Sequence, residues 1–169
     1  MNPDLDLRLA SVIKALREVI LPALPPEQRM AREQASLVLG HLAILAEQWP
    51  YALRYELECL ADSRALAGEL AALVEDGSAL RAARASAAQV DVADYAAVSA
   101  AHRDLKRHID AALGDGEGRV PLAPAVLDAV LRMNDRRAPR ERSWFRGSGL
   151  DPDGPRLPPL EALFEREPS

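Results

Sequence analysis

The segment PPEQRMAREQASLVLGHLAILAEQ, from Pro25 to Gln48, decides the fold class of this 169-residue chain. Its apolar residues recur at spacings of three and four, which places them along one side of an α-helix. The two prolines suit the start of a helix, because the first turn leaves backbone N–H groups unbonded anyway. The densest apolar run, from Leu37 to Ala46, is about half as long as a membrane-spanning helix. The segment therefore predicts a long buried helix and no membrane anchor.

Similar helical patterns lie on both sides of this segment. A first helix is predicted over residues 4–21, where Pro22 ends it. Its expected inward-facing residues are Leu5, Leu9, Val12, Ile13, Leu16, Val19 and Ile20. A third helix is predicted to open at Pro50 and to end before Gly77. Its apolar face changes at Asp62 and Ser63, both good helix caps, so we expect a kink or a break there.

The second half of the chain is predicted to supply two more core helices. Residues 78–88 are rich in alanine and arginine and have few large apolar groups, so any helix there is expected to be short, exposed or a poorly packed connector. Asp91 is the expected N-cap of the next long helix, which ends at the glycine-rich loop of residues 114–118. The last core helix should follow Pro121 and bury Val126, Leu127, Val130, Leu131 and Met133. Together these patterns predict an all-α bundle of four to five principal helices.

The composition changes again at residue 138, after which prolines and glycines are frequent. We therefore predict a helical bundle domain over residues 1–137 and an extended C-terminal tail over residues 138–169. A short terminal helix containing Leu160 and Phe164 is expected in the tail, after two prolines. With Trp144, these residues could anchor the tail to the same molecule or to a neighbouring one.

Charge and cysteine content exclude several classes of protein. The formal net charge is −5 and the pI is about 5.3, whereas nucleic-acid binding needs a basic surface. Cys59 is the only cysteine, so there is no intrachain disulfide and no cysteine cluster for a metal. The N-terminal residues do not resemble a signal peptide. We expect a cytoplasmic protein that needs no cofactor and binds neither nucleic acid nor membrane.

Four polar residues on apolar helix faces are candidates for ligand binding. Gln34, His41 and Gln48 are spaced by seven, so they share one face of the predicted second helix. They form either a hydrogen-bonded ladder that fixes helix register or, together with His102, the lining of a pocket between helices. A metal held by the two histidines and a nearby glutamate is not favoured, because the histidine spacing of metal-binding bundles is missing.

Arginines concentrate between residues 132 and 146. The candidate anion-binding residues are Arg132, Arg136, Arg137 and Arg140. Guanidinium groups can bind phosphate or an acidic partner, although such a run also occurs where a helix end is simply solvated.

The stretch from Val19 to Leu24, followed by residues 29–45, resembles the opening of an uncharacterised bacterial all-helical family. Members have a first helix that ends in a Leu-Pro-Ala-Leu turn and a second helix rich in alanine and leucine. They are often encoded beside aminoglycoside-phosphotransferase-like kinases and acyl-CoA dehydrogenases. The resemblance covers the first quarter of the chain and implies an accessory role in acyl-CoA or small-molecule metabolism. It implies no catalytic residues.

Three functions remain open at this level. We favour a non-catalytic interaction or accessory protein that self-associates or docks on a metabolic enzyme through an alanine-rich helix face. The alternative is a binder of, or enzyme for, a CoA-like or phosphorylated compound, with a cleft lined by His41 and His102. The third is the ligand domain of a regulator that lacks its DNA-binding part.

Overall fold

The computed structural model describes residues 4–114 and 123–164, and within these residues it contains helices and turns but no β-strand. The predicted all-α fold is therefore confirmed. Five helices are longer than ten residues: α1, α3, α4, α6 and α7. The eight α-helices are α1 (Leu5–Ala15), α2 (Leu21–Ala23), α3 (Arg29–Gln48), α4 (Ala52–Leu73), α5 (Ser78–Ala87), α6 (Tyr95–Leu113), α7 (Pro124–Trp144) and α8 (Leu160–Phe164).

The chain divides into two compact units. Unit one combines Met1–Pro50 with Arg142–Ser169, and unit two is Tyr51–Glu141. Since α7 runs without interruption to Trp144, the helical part extends beyond residue 137, even across Pro139. Unit one is thus built from both halves of the sequence, and unit two is inserted between them.

Unit two holds the dry core of the protein. Helices α4, α5, α6 and α7 contribute side chains with little or no exposed surface, among them Leu66, Leu70, Leu80, Val98 and Leu105. Fully buried alanines such as Ala67 and Ala129 allow the helices to approach closely. On α7, Val126 and Met133 are buried as predicted, whereas Leu127 and Leu131 are exposed.

Helix α4 shows that the predicted break at Asp62 and Ser63 is wrong. The helix is continuous from Ala52 to Leu73. Ser63 is buried in the core, and the carboxylate of Asp62 pairs with the guanidinium of Arg140 on α7. Both residues make tertiary contacts instead of capping a helix end, and the change of apolar face reflects different neighbours along one continuous helix.

Two further predictions in unit two need correction. The N-cap of α6 is Asp94, whose carboxylate accepts hydrogen bonds from the N–H groups of Ala96 and Ala97. Asp91 instead bonds the N–H of Ala93 in the preceding turn. Helix α5 is short, as expected, but it buries one face through Leu80, Ala83 and Ala87 and so belongs to the core.

In unit one, α1 packs against α3, and no residue of α1, α2 or α3 is buried. The predicted inward orientation of the first helix and the predicted burial of the second helix, which is α3, are therefore wrong. Leu9, Ile13 and Leu16 are half-buried, but Leu5, Val12, Val19 and Ile20 are exposed. Two helices side by side cover only the strip between them, so an apolar face wider than that strip stays in contact with water.

A π-helical turn, Leu16–Ile20, separates α1 from α2. The N–H of Leu21 bonds to the carbonyl of Leu16, and Pro22 follows directly. Proline cannot donate a backbone hydrogen bond, and wide turns of this kind commonly accompany helix kinks. Arg32 on α3 then donates to the carbonyls of Leu21 and Leu24, at 3.3 and 2.9 Å, and so fixes the end of α2.

The C-terminal segment of unit one folds back on the end of α7. The rings of Phe164 on α8 and Trp144 pack edge-to-face, with centroids 6.2 Å apart. Leu160, at the start of α8, is also buried. Arg142 donates to both oxygens of Asp151, at 2.7 and 3.0 Å, and to Asp153 at 2.8 Å. The hydrogen bonds from Arg142 lower the pKa of Asp151 to about 2. The short terminal helix forms after Pro159, as predicted.

Candidate functional site

The polar residues predicted on helix two lie on α3 in unit one. Gln34 and His41 are exposed, so they are not part of a buried ladder. Gln48 is half-buried and donates from Nε2 to the carbonyl of Trp144 at 2.8 Å. Its role is therefore to fasten α3 to the C-terminal segment.

His102 lies in unit two, on α6, and so belongs to a different unit from Gln34 and His41. Its Nδ1 is 2.9 Å from Oε2 of Glu56, and the two side chains are only 14% and 18% exposed. The carboxylate fixes the tautomer in which Nδ1 carries the proton. Nε2 is buried without a hydrogen-bond partner. Within the residues that the structure describes, no three His, Cys, Asp or Glu residues are grouped so that they could hold a metal ion.

The arginine cluster is largely engaged by carboxylates of the chain itself. Arg132 pairs with Glu69 at 2.9 Å, and Arg137 pairs with Glu141 at 2.7 Å. Arg140 pairs with Asp62 and lies 3.7 Å from Glu58. Of the four predicted anion-binding residues, the remaining one, Arg136, is exposed. Internal pairing of three guanidinium groups favours a structural role for this cluster over the binding of an external anion.

A polar cluster between α4 and α7 was not predicted. The hydroxyl of Tyr55 donates to Glu141 at 2.7 Å, and the guanidinium of Arg140 lies 6.0 Å from the centroid of the Tyr55 ring. Cys59 is 1% exposed, with Sγ 3.8 Å from Nη2 of Arg140. In the sequence, the only indication of this cluster is the helical spacing of Tyr55, Cys59 and Asp62, which places them on one face. Their partners lie far away in the sequence; Arg140, for example, is 78 residues from Asp62.

The ionisation of this cluster indicates that it stabilises the fold and does not act as a nucleophile. Burial raises the pKa of the Cys59 thiol, although Arg140 and Arg137 oppose the shift. Burial and the hydrogen bond to Glu141 raise the pKa of Tyr55 well above its usual range. Burial alone would raise the pKa of Glu141, but hydrogen bonds from Arg137 and Tyr55 lower it. A thiol and a phenol that stay protonated are poor nucleophiles.

The most distinctive feature of unit one is its exposed apolar surface. We define the N-terminal apolar surface as the large apolar residues of α1 to α3 and their linking turns that are exposed. They are Leu5, Leu7, Val12, Val19, Ile20, Met30, Leu37, Val38 and Leu45. Met30 is 70% exposed and Leu37 is 56% exposed. Single exposed apolar residues are ordinary, but a high density on two packed helices is typical of a binding surface.

Two of the open grooves on the described residues are large enough for a small ligand and border polar residues. One, of about 540 Å³, lies on unit one between Leu21 and Leu37 and is lined also by Arg32, Glu33 and Ser36. The guanidinium of Arg32 already binds backbone carbonyls there. The other, of about 520 Å³, runs along α6 beside Arg103, Lys106, Arg107 and Asp110. Neither groove brings a nucleophile together with a base.

None of the helices described by the structure is both long enough and apolar enough to span a bilayer. No family model matches the chain, and neither the curated proteins nor the solved structures contain a match.

Proposed function

We propose that this chain is a non-catalytic interaction protein that self-associates through the N-terminal apolar surface. The observation that carries the proposal is that the N-terminal helices of unit one are apolar but expose their large apolar side chains. Helices α1 to α3 and their linking turns expose nine large apolar side chains, and these helices have no buried residue. Burying apolar surface contributes roughly 25 cal/mol per Å², so a partner that covers the N-terminal apolar surface would stabilise the helices that form it.

The chemistry of the remaining polar residues supports binding over catalysis. His102 is held by Glu56, and Arg140 is held by Asp62. Burial raises the pKa values of Cys59 and Tyr55, so both groups remain protonated. These residues are suited to locking helices together, whereas the N-terminal apolar surface is open to a partner.

Light scattering of the full chain tests the proposal. We expect the mass to approach twice the chain mass of 18.4 kDa as the protein concentration rises. A Leu37→Glu variant places a charge on the N-terminal apolar surface and should stay monomeric. Leu131→Glu is the matched control, because Leu131 is a leucine on α7 that is 50% exposed and lies outside this surface.

A wild-type chain that remains monomeric at the highest attainable concentration would overturn self-association. Equal loss of assembly in Leu37→Glu and Leu131→Glu would overturn the assignment to the N-terminal helices. Circular dichroism of all three proteins checks that each keeps its helix content, so that a change in mass reports association and not unfolding.

A further inference from the structure

One stripe of the exposed side of α3 has a symmetric pattern. Its six exposed residues are Met30, Gln34, Leu37, Val38, His41 and Leu45. Glu33, Ser36 and Gly40 are also exposed, but they lie farther round the helix, outside this stripe. The intervals between the six residues of the stripe are four, three, one, three and four residues. Their polarity is also symmetric, because it reads apolar, polar, apolar, apolar, polar, apolar from either end. The face is therefore a palindrome centred between Leu37 and Val38.

A palindromic helix face is complementary to a second copy of itself. In a two-fold interface each surface patch meets the same patch, so residue i contacts residue j and residue j contacts residue i. If two α3 helices run antiparallel about an axis between Leu37 and Val38, Gln34 meets His41 of the partner subunit. Met30 then meets Leu45 of the partner subunit, and every apolar residue of the face has an apolar partner.

The six residues also form two ridges that can interlock. Met30, Gln34 and Val38 are spaced by four, and so are Leu37, His41 and Leu45. Rows of this spacing are the ridges that fit into grooves when helices pack. Each ridge carries one polar residue at its centre. An amide and an imidazole can hydrogen-bond in either histidine tautomer, so neither polar group would be buried without a partner.

Charge favours the antiparallel arrangement over a parallel one. Arg29 lies at the N-terminus of α3 and Glu47 near its C-terminus, and both side chains are exposed. Both lie about 130° round the helix from the centre of the palindromic stripe, so antiparallel pairing brings opposite charges to the same end of the pair without contact across the interface. A parallel pair would bring like charges to each end and would align the two helix dipoles unfavourably.

We infer that two copies of this chain pair antiparallel through α3, about a two-fold axis at Leu37 and Val38. This inference rests on the proposed self-association and adds the identity of the partner, the helix that is used and its direction. The polar residues Gln34 and His41, which the sequence offered as ligand-binding residues, then set the register of the interface.

Disulfide trapping of the full chain tests the direction. An equimolar mixture of Gln34→Cys and His41→Cys proteins should give a cross-linked pair on mild oxidation, whereas each variant alone should not. Antiparallel pairing offsets residue 34 from its own copy by seven residues, or about 10 Å along the helix. That offset is too large for a disulfide, which needs Cα atoms within about 7 Å. The wild-type chain is the control, since its only cysteine, Cys59, is buried.

The two proposals fail in different ways. Cross-linking of each single variant with itself, and not in the mixture, would mean that the helices pair in parallel and would overturn this inference alone. Absence of any cross-link in a protein that light scattering shows to be a dimer would place the interface elsewhere and would also overturn it. A monomer by light scattering would overturn both proposals.

Introducing opposite charges at positions 41 and 34 provides an independent test of the direction of pairing. His41→Glu should raise the dissociation constant of the dimer about tenfold, because a carboxylate is then buried against Gln34 of the partner subunit. Adding Gln34→Lys should restore the dissociation constant to within a few-fold of the wild-type value, because each lysine then meets a glutamate. In a parallel pair the double variant would bring lysine to lysine and bind more weakly than His41→Glu, which would contradict the inference.

Discussion

At the scale of single residues, two glycines in or beside helices have opposite roles. A Cβ added at Gly40, in the interior of α3, would meet nothing within 4 Å. At Gly77, between α4 and α5, a Cβ would overlap the carbonyl oxygen of Ala71 and stand 2.7 Å from its Cα. Lack of space is therefore the reason for glycine at position 77, whereas no residue in the described part of the chain requires glycine at position 40.

Substitution of these glycines should change stability in opposite directions. We expect Gly40→Ala to raise the free energy of unfolding by about 1 kcal/mol, because alanine is the better helix former. Gly77→Ala should lower it by more than about 1 kcal/mol, because the backbone must move to relieve the overlap. Urea unfolding followed by circular dichroism measures both. Destabilisation by Gly40→Ala would show that something approaches α3 closely at this position.

The Glu141 carboxylate should make stability depend on pH. Its pKa is lowered from 4.5 in the folded protein, so the stability that it contributes is present above about pH 4.5 and is lost as the pH falls below that value. Glu141→Gln should cost about 1–3 kcal/mol at neutral pH, because Arg137 and Tyr55 lose a charged acceptor.

The difference in unfolding free energy between wild type and Glu141→Gln should therefore shrink in acid. Glu75→Gln, at an exposed position in the turn after α4, is the matched control and should change little at either pH. A difference between wild type and Glu141→Gln that stays constant from neutral pH to pH values below 4.5 would argue against the assignment of the pH dependence to this carboxylate.

At the scale of elements, the docking of α8 depends on one aromatic contact. Phe164 is buried and packs on the edge of Trp144, and removal of a buried aromatic ring typically costs about 3–5 kcal/mol. Phe164→Ala should therefore release α8 and increase hydrogen exchange in residues 150–164. Leu150→Ala is the control, since Leu150 is 88% exposed. Unchanged exchange in Phe164→Ala would mean that Leu160 and the Arg142 ion pairs hold the segment without the ring.

Elements also show where sequence reasoning succeeds. Helix α3 was predictable because prolines precede it and its apolar residues keep a period of three and four. The N-cap of α6 was assigned to Asp91 instead of Asp94, since either aspartate can cap a helix and only the packed structure decides between them. The π-turn before Pro22 left no local signal beyond the proline itself.

The candidate sites were less predictable than the helices, for two physical reasons. The pairing of Arg140 with Asp62 joins residues 78 positions apart, and helical periodicity does not say which faces will meet. Periodicity also shows which side of a helix is apolar but not whether anything covers it. Leu5, Val12 and Val19 were therefore expected to be buried, and the structure leaves them exposed.

At the scale of the whole molecule, self-association should make stability depend on protein concentration. A dimer is stabilised by mass action, so its thermal midpoint should rise with concentration, whereas that of a monomer should not. We expect a rising midpoint for the wild-type chain and a constant one for Leu37→Glu. Differential scanning calorimetry over a range of concentrations measures both. A constant wild-type midpoint would contradict a dimer coupled to folding.

The insertion of unit two into unit one has a consequence for synthesis on the ribosome. Helices α1 to α3 emerge before unit two, but the segment that completes their unit begins only at Arg142, after unit two. At typical elongation rates, the intervening residues take on the order of 5–20 s to translate. During that delay the nascent helices present their apolar side chains to whatever is near. If copies self-associate as we propose, the nearest matching surface on a polysome belongs to the neighbouring nascent chain, and pairing would begin before either chain is released.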